Sequence, residues 1–97
     1  IDTGGTIAAA SRALIERGAK SVSVAATHGI FSDESVEKLK DTPIDEIVVT
    51  DTLKQNGNIE KIGNVKILSV SSIIATALTS IFADDSVSAI FMGENVL

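Results

Sequence analysis

Cysteine, tryptophan and tyrosine are absent from the chain, and proline occurs once, at Pro43. Without cysteine there is no disulfide, no thiolate metal site and no cysteine nucleophile. Only three of the 97 residues are aromatic, all Phe, so a core must be built from Ile, Val, Leu and Ala. That palette suits a parallel sheet covered by helices. Basic residues are scarce too: eight Lys and Arg against thirteen Asp and Glu leave a net charge of −5. No basic stripe is visible, which argues against nucleic acid and against an acidic membrane surface as partners. No apolar run reaches the ~18 residues of a membrane span. No signal peptide is recognisable, so a cytoplasmic protein is expected. A chain of this length makes at most one small domain, burying about 60–65% of its unfolded surface.

What is present starts at once. In Ile1-Asp2-Thr3-Gly4-Gly5-Thr6, two glycines stand between an acid and a hydroxyl residue, and the helix formers Ile7-Ala8-Ala9-Ala10 follow. A glycine turn feeding a helix leaves backbone N–H groups unpaired at the positive end of the helix dipole, where an anion, usually phosphate, is stabilised. Gly4 and Gly5 can take positive φ and let a ligand oxygen approach the main chain. Thr3 and Thr6 add hydroxyls, and Thr6 is a candidate helix cap. Asp2 would repel phosphate, so it is better suited to a sugar hydroxyl or a metal-bound water. The ligand this chemistry suggests is a sugar phosphate. A Gly-Gly turn before a helix is also an ordinary connection, and six residues do not separate the two.

Hydrophobic spacing orders the remainder. Ile7 to Arg17 is expected to be helical, with Ile7, Ala10 and Leu14 inward and Gly18 ending it. Ser21 to Thr27 is expected as a strand, with His28-Gly29-Ile30-Phe31-Ser32 at its ligand-facing end. Ser32 should cap a short helix, Asp33 to Lys40, whose acids come first and bases last, and whose narrow apolar face is Val36 and Leu39. Pro43 breaks the chain. Glu46 to Thr50 is a second strand, Asp51 to Asn64 a polar loop, and Val65 to Val70 a third strand. A last helix, capped by Ser71 or Ser72, carries the stripe Ile74, Ala77, Leu78, Ile81 and Phe82. Ser86 to Phe91 has the pattern of a terminal strand. The alternation predicts an α/β fold with a mainly parallel sheet. A phosphate loop of this kind normally follows a strand, and the chain opens inside the motif, without Met. It is therefore expected to be part of a larger protein, with an uncovered edge beside Ser21–Thr27.

Ile1-Asp2-Thr3-Gly4-Gly5-Thr6 resembles the second half of the phosphoribosyl-diphosphate motif of type I phosphoribosyltransferase-fold proteins. Three further segments sharpen the likeness: Ala26-Thr27-His28-Gly29-Ile30-Phe31-Ser32, then Val48-Val49-Thr50-Asp51-Thr52, then Asp85-Ser86-Val87-Ser88-Ala89-Ile90-Phe91. Together they resemble, in order and spacing, the C-terminal third of ribose-phosphate diphosphokinases, also called phosphoribosyl diphosphate synthetases. The resemblance implies a type I phosphoribosyltransferase-like domain, incomplete at its start, with residues 1–97 forming part of it. It implies transfer of the diphosphoryl group of ATP to ribose 5-phosphate, with Mg²⁺ required. It further implies that Thr3, Gly4, Gly5 and Thr6 cradle the 5-phosphate while Asp2 helps to place the sugar. The family's paired acids, ATP site, basic catalytic loop and main metal ligands would lie upstream. No complete catalytic or metal set is thus expected here, and the chain alone should be inactive. Family members assemble as dimers and hexamers, so a homo-oligomer is expected.

Ser86, Val87 and Ser88 match a serine-bearing strand that, in phosphate-activated and ADP-inhibited members, contributes to a regulatory site between subunits. Alternating serines are equally the polar face of a strand. His28, the only histidine, invites a catalytic role, but it has no acid or base partner nearby in sequence and is expected to hydrogen-bond a neighbouring loop. Asp84-Asp85 reads as a solvated turn. Asp33-Glu34, where the family often has Gly-Pro, and Lys54-Gln55, in place of a common proline turn, are departures outside the phosphate loop. A phosphoribosyltransferase should lack the His28–Ser32 and Ser86–Phe91 segments. A non-catalytic regulatory homologue differs only upstream and stands as an alternative.

Overall fold

A computed structural model describes residues 1–84. Helix α1 (Gly5–Glu16) precedes strand β1 (Ser23–Ala26); α2 (Asp33–Lys40) leads to β2 (Glu46–Thr50); α3 (Asn58–Ile62) leads to β3 (Val65–Leu68); α4 (Ser71–Phe82) follows. The sheet order is β1-β2-β3 with both pairings parallel. Parallel neighbours need a crossover, which α2 supplies between β1 and β2 and α3 between β2 and β3. The α/β class and the mainly parallel sheet are as expected.

Register explains the core. Val24 lies opposite Ile47 and Ile47 opposite Val65, while Ala26 pairs with Val49. Side chains alternate along a strand, so these residues share one face. Ile47 and Val49 are fully buried there with Phe31, Leu39, Ile44 and Ile62. Helices α2 and α3 pack against each other, and α1 packs on α2. Leu39, 1% exposed, carries the inward face of α2 as its spacing predicts. Burial of one such side chain is worth about 1.5–3 kcal/mol. Thr42 donates to the Lys38 carbonyl at the end of that helix.

Four expectations need correction. The most buried residues of α1 are Ala8 and Ser11, with Ile7 partly buried against the core as expected, whereas Leu14 is half exposed and Ala10 is on the surface. Small side chains let α1 approach its neighbour closely, a preference that hydrophobic spacing does not register. Asp51 to Asn64 is not all loop, since it contains α3, which at five residues is too short to show a period. Neither Ser71 nor Ser72 caps α4; Val70 is its N-cap, and the Ser69 hydroxyl accepts the Ser71 N–H at 3.2 Å. The stripe on α4 forms no core among the described residues, because Ile74, Leu78, Ile81 and Phe82 are exposed. The expected strand from Ser86 to Phe91 lies outside the described residues.

Candidate functional site

Gly4 sets the geometry of the first loop. It is the N-cap of α1 at φ 83°, ψ −1°, a left-handed conformation that favours glycine. A Cβ there would also fall 2.8 Å from Leu39 Cγ, so the turn is buried down onto α2. Gly5 is already helical, so only the first glycine uses positive φ. The helix ladder starts with Ala8 N–H donating to the Gly4 carbonyl at 2.9 Å. The N–H groups of Gly5, Thr6 and Ile7 therefore precede the ladder and face outward. No side chain caps them. Thr6 sits one residue inside the helix and is not its cap, while Asp2, Thr3 and Thr6 are all exposed.

Residues Ile1 to Ile7 line an open cavity of about 230 Å³, room for a phosphate and part of a sugar. All five residues expected to bind the sugar phosphate, Asp2, Thr3, Gly4, Gly5 and Thr6, line it. Donors at a helix start can hold an anion, and exposed hydroxyls can add to that shell.

The loop is held from behind through the main chain. Ile30 N–H and Phe31 N–H donate to the Ile1 carbonyl at 2.8 and 3.2 Å, and Ser32 N–H to the Asp2 carbonyl at 3.1 Å. The Ser32 hydroxyl also points to the Asp2 carbonyl, at 3.3 Å, rather than capping α2. This backing segment includes Phe31, fully buried and at φ 50°, a conformation that is uncommon outside glycine. Amide side chains secure it in turn. Asn58 Nδ2 donates to the Phe31 carbonyl at 2.9 Å and to Asp33 Oδ1 at 3.0 Å. Asn56 Nδ2 reaches the Phe31 carbonyl at 3.2 Å, and Gln55 Nε2 the Gly29 carbonyl at 3.3 Å. Sequence spacing did not single out these amides. Their signal was a cluster of Gln and Asn in a segment read as plain surface.

At the C-terminal ends of β1 and β2, His28 Nδ1 lies 2.7 Å from Thr52 Oγ1, matching the expected bond to a neighbouring loop. Thr50 Oγ1 donates to the Thr27 carbonyl at 2.6 Å. Asp51 Oδ1 accepts the Val70 N–H at 2.9 Å. That bond first, and then one to the Ser69 hydroxyl, holds the Asp51 carboxyl below its ordinary range. Ser86, Val87 and Ser88 lie outside the described residues.

A family model described as the phosphoribosyl synthetase-associated domain matches residues 1–92. The ribose-phosphate pyrophosphokinase of Buchnera aphidicola is 47% identical over 91 residues, covering 94% of this chain and 29% of that protein. Those of Haemophilus influenzae and Corynebacterium glutamicum are 46% and 45% identical, over 94% and 97% of this chain and 29% and 28% of theirs. The solved structure of phosphoribosylpyrophosphate synthetase from Mycobacterium smegmatis superposes with a TM-score of 0.79 at 39% identity, over 87% of this chain and 28% of that one. The chain thus spans under a third of the length of these relatives. With a family match over almost its whole length and a fold shared with a solved synthetase, the chain belongs to the phosphoribosyl synthetase-associated domain family.

Proposed function

We propose that this chain is the ribose 5-phosphate-holding part of a ribose-phosphate diphosphokinase, with residues 1–97 lying in the C-terminal phosphoribosyltransferase-like domain of a larger enzyme. The observation that carries this is the cavity formed by residues 1–7 over the start of α1, with Gly4 left-handed at its floor. The 5-phosphate sits against the N–H groups of Gly5 and Thr6 and the hydroxyls of Thr3 and Thr6. Asp2 accepts hydrogen bonds from the sugar.

In the reaction, the 1-hydroxyl of ribose 5-phosphate attacks the β-phosphorus of ATP. The bond between the bridging α,β oxygen and the β-phosphorus breaks, AMP leaves, the hydroxyl proton is lost, and phosphoribosyl diphosphate forms. Such transfers depend mostly on positioning and charge stabilisation. This chain contributes positioning by anchoring the end of the acceptor remote from the reacting hydroxyl. Among the described residues no three His, Asp or Glu side chains converge as a metal site. By themselves they do not fit Mg²⁺. ATP binding and Mg²⁺ are requirements proposed for the whole enzyme. By itself the chain is proposed to turn over nothing. Phosphate and ADP acting near Ser86, Val87 and Ser88, and assembly into dimers and a hexamer, follow from the same reading.

Amide NMR with ribose 5-phosphate and with ribose tests the proposal. Saturable shifts at Thr3 to Thr6 with the phosphate ester and none with ribose are expected. Equal response to both, or no response, would overturn it.

A further inference from the structure

The loop offers an anion partial charges and hydroxyls, but its one ionised side chain, Asp2, is negative. A cationic side chain reaches it from another element. Lys38, on α2, places Nζ 3.5 Å from where a Cβ on Gly5 would stand, and Thr3 Oγ1 is 4.0 Å from the same point. The lysine stem lies along the loop as well, with Cδ 4.0 Å from that position. Leu39, the next residue, is pinned under Gly4. The packing that fixes the turn therefore also fixes where the Lys38 stem leaves α2.

Its present partner is weak. Nζ lies 3.5 Å from Glu34 Oε2, one helical turn back, with the two side chains 45% and 67% exposed. Exposed pairs of this kind contribute little and are readily exchanged. A phosphate dianion brings more charge and more acceptor oxygens than one carboxylate. The long, flexible lysine stem lets the ammonium move between them.

We propose that Lys38 is a substrate-binding residue that leaves Glu34 to pair with the 5-phosphate held by the loop, supplying the full positive charge the loop lacks. This rests on the loop's binding ribose 5-phosphate, and Glu34 then acts as a competitor that weakens binding.

The test is calorimetric titration of the protein with ribose 5-phosphate, for wild type, Lys38→Gln, Lys38→Arg and Glu34→Gln. Lys38→Gln should weaken binding about tenfold, as expected for loss of one charge-assisted contact. Lys38→Arg should restore affinity to within about threefold, and Glu34→Gln should tighten binding about twofold. Between about 50 and 300 mM salt, the affinity of Lys38→Gln should fall less steeply than that of wild type, which a merely structural role would not cause. Saturable wild-type binding that Lys38→Gln leaves unchanged in affinity and salt slope overturns the lysine's role and leaves the loop's intact. No saturable binding by wild type overturns both.

Discussion

Leu39 Cγ occupies the space a side chain on Gly4 would need, 2.8 Å from the position of its Cβ. Turn shape and core packing therefore meet at one contact. Gly4→Ala should destabilise the fold by about 2–4 kcal/mol, combining a left-handed alanine with overpacking. Leu39→Ala should cost about 2–5 kcal/mol by leaving a cavity. In denaturant unfolding the double variant should lose less than the sum, since the clash disappears while the backbone strain and most of the cavity stay. Simple additivity would show that the two residues are not in conflict.

Loss of the Asn58 amide should loosen the loop from a distance. Asn58 is 5% exposed and donates to both the Phe31 carbonyl and Asp33. Asn58→Ala should cost about 2–3 kcal/mol, one of the lost bonds being to a charged group. Hydrogen exchange should quicken at the N–H groups of Ile30 and Phe31, which hold Ile1. Unchanged exchange there would disconnect residues 55–58 from the site.

Asp51 should make stability fall towards acid. Its folded pKa lies below the ordinary carboxylate value of about 3.9, so the unfolded chain takes up the proton first as pH falls. The stabilisation is complete above the unfolded value and is lost as pH drops through the folded one. Asp51→Asn should therefore flatten the acid side of a stability–pH curve measured by chemical denaturation. A curve as steep as that of wild type would refute the assignment.

The hydroxyls of the loop should matter for ligand and little for fold. Thr6 is exposed and caps nothing. Thr6→Val should weaken ribose 5-phosphate by about fivefold, the worth of one hydrogen bond, with the melting temperature nearly unchanged. A large drop in melting temperature would mean the hydroxyl serves the structure instead.

Much of this was legible in the residues. The ends of α2 and β2 fall where Asp33–Lys40 and Glu46–Thr50 placed them, because acids first, bases last and a β-branched run are local signals. The five loop residues line one cavity at the start of α1, where the Gly-Gly pair placed a turn. What was hidden depends on tertiary contact. Ala8 and Ser11 face inward because close packing selects small side chains, and spacing favoured the larger Leu14, which lies outside. The amides of Gln55, Asn56 and Asn58 looked like ordinary loop polarity until their acceptors, main-chain carbonyls some 25 residues away, were known. Lys38 looked like the basic end of a dipole-matched helix. Only the fold brings it beside Gly5.

The bonds from Ile30, Phe31 and Ser32 to the carbonyls of Ile1 and Asp2 involve main-chain acceptors alone. The loop's location is consequently independent of the side chain carried at position 2. Address and contents are separate, and under the proposed function exchanging Asp2 should change what the cavity recognises in a sugar without moving the cavity. If the proposal holds, a redesign for a different phosphorylated acceptor would start at that position.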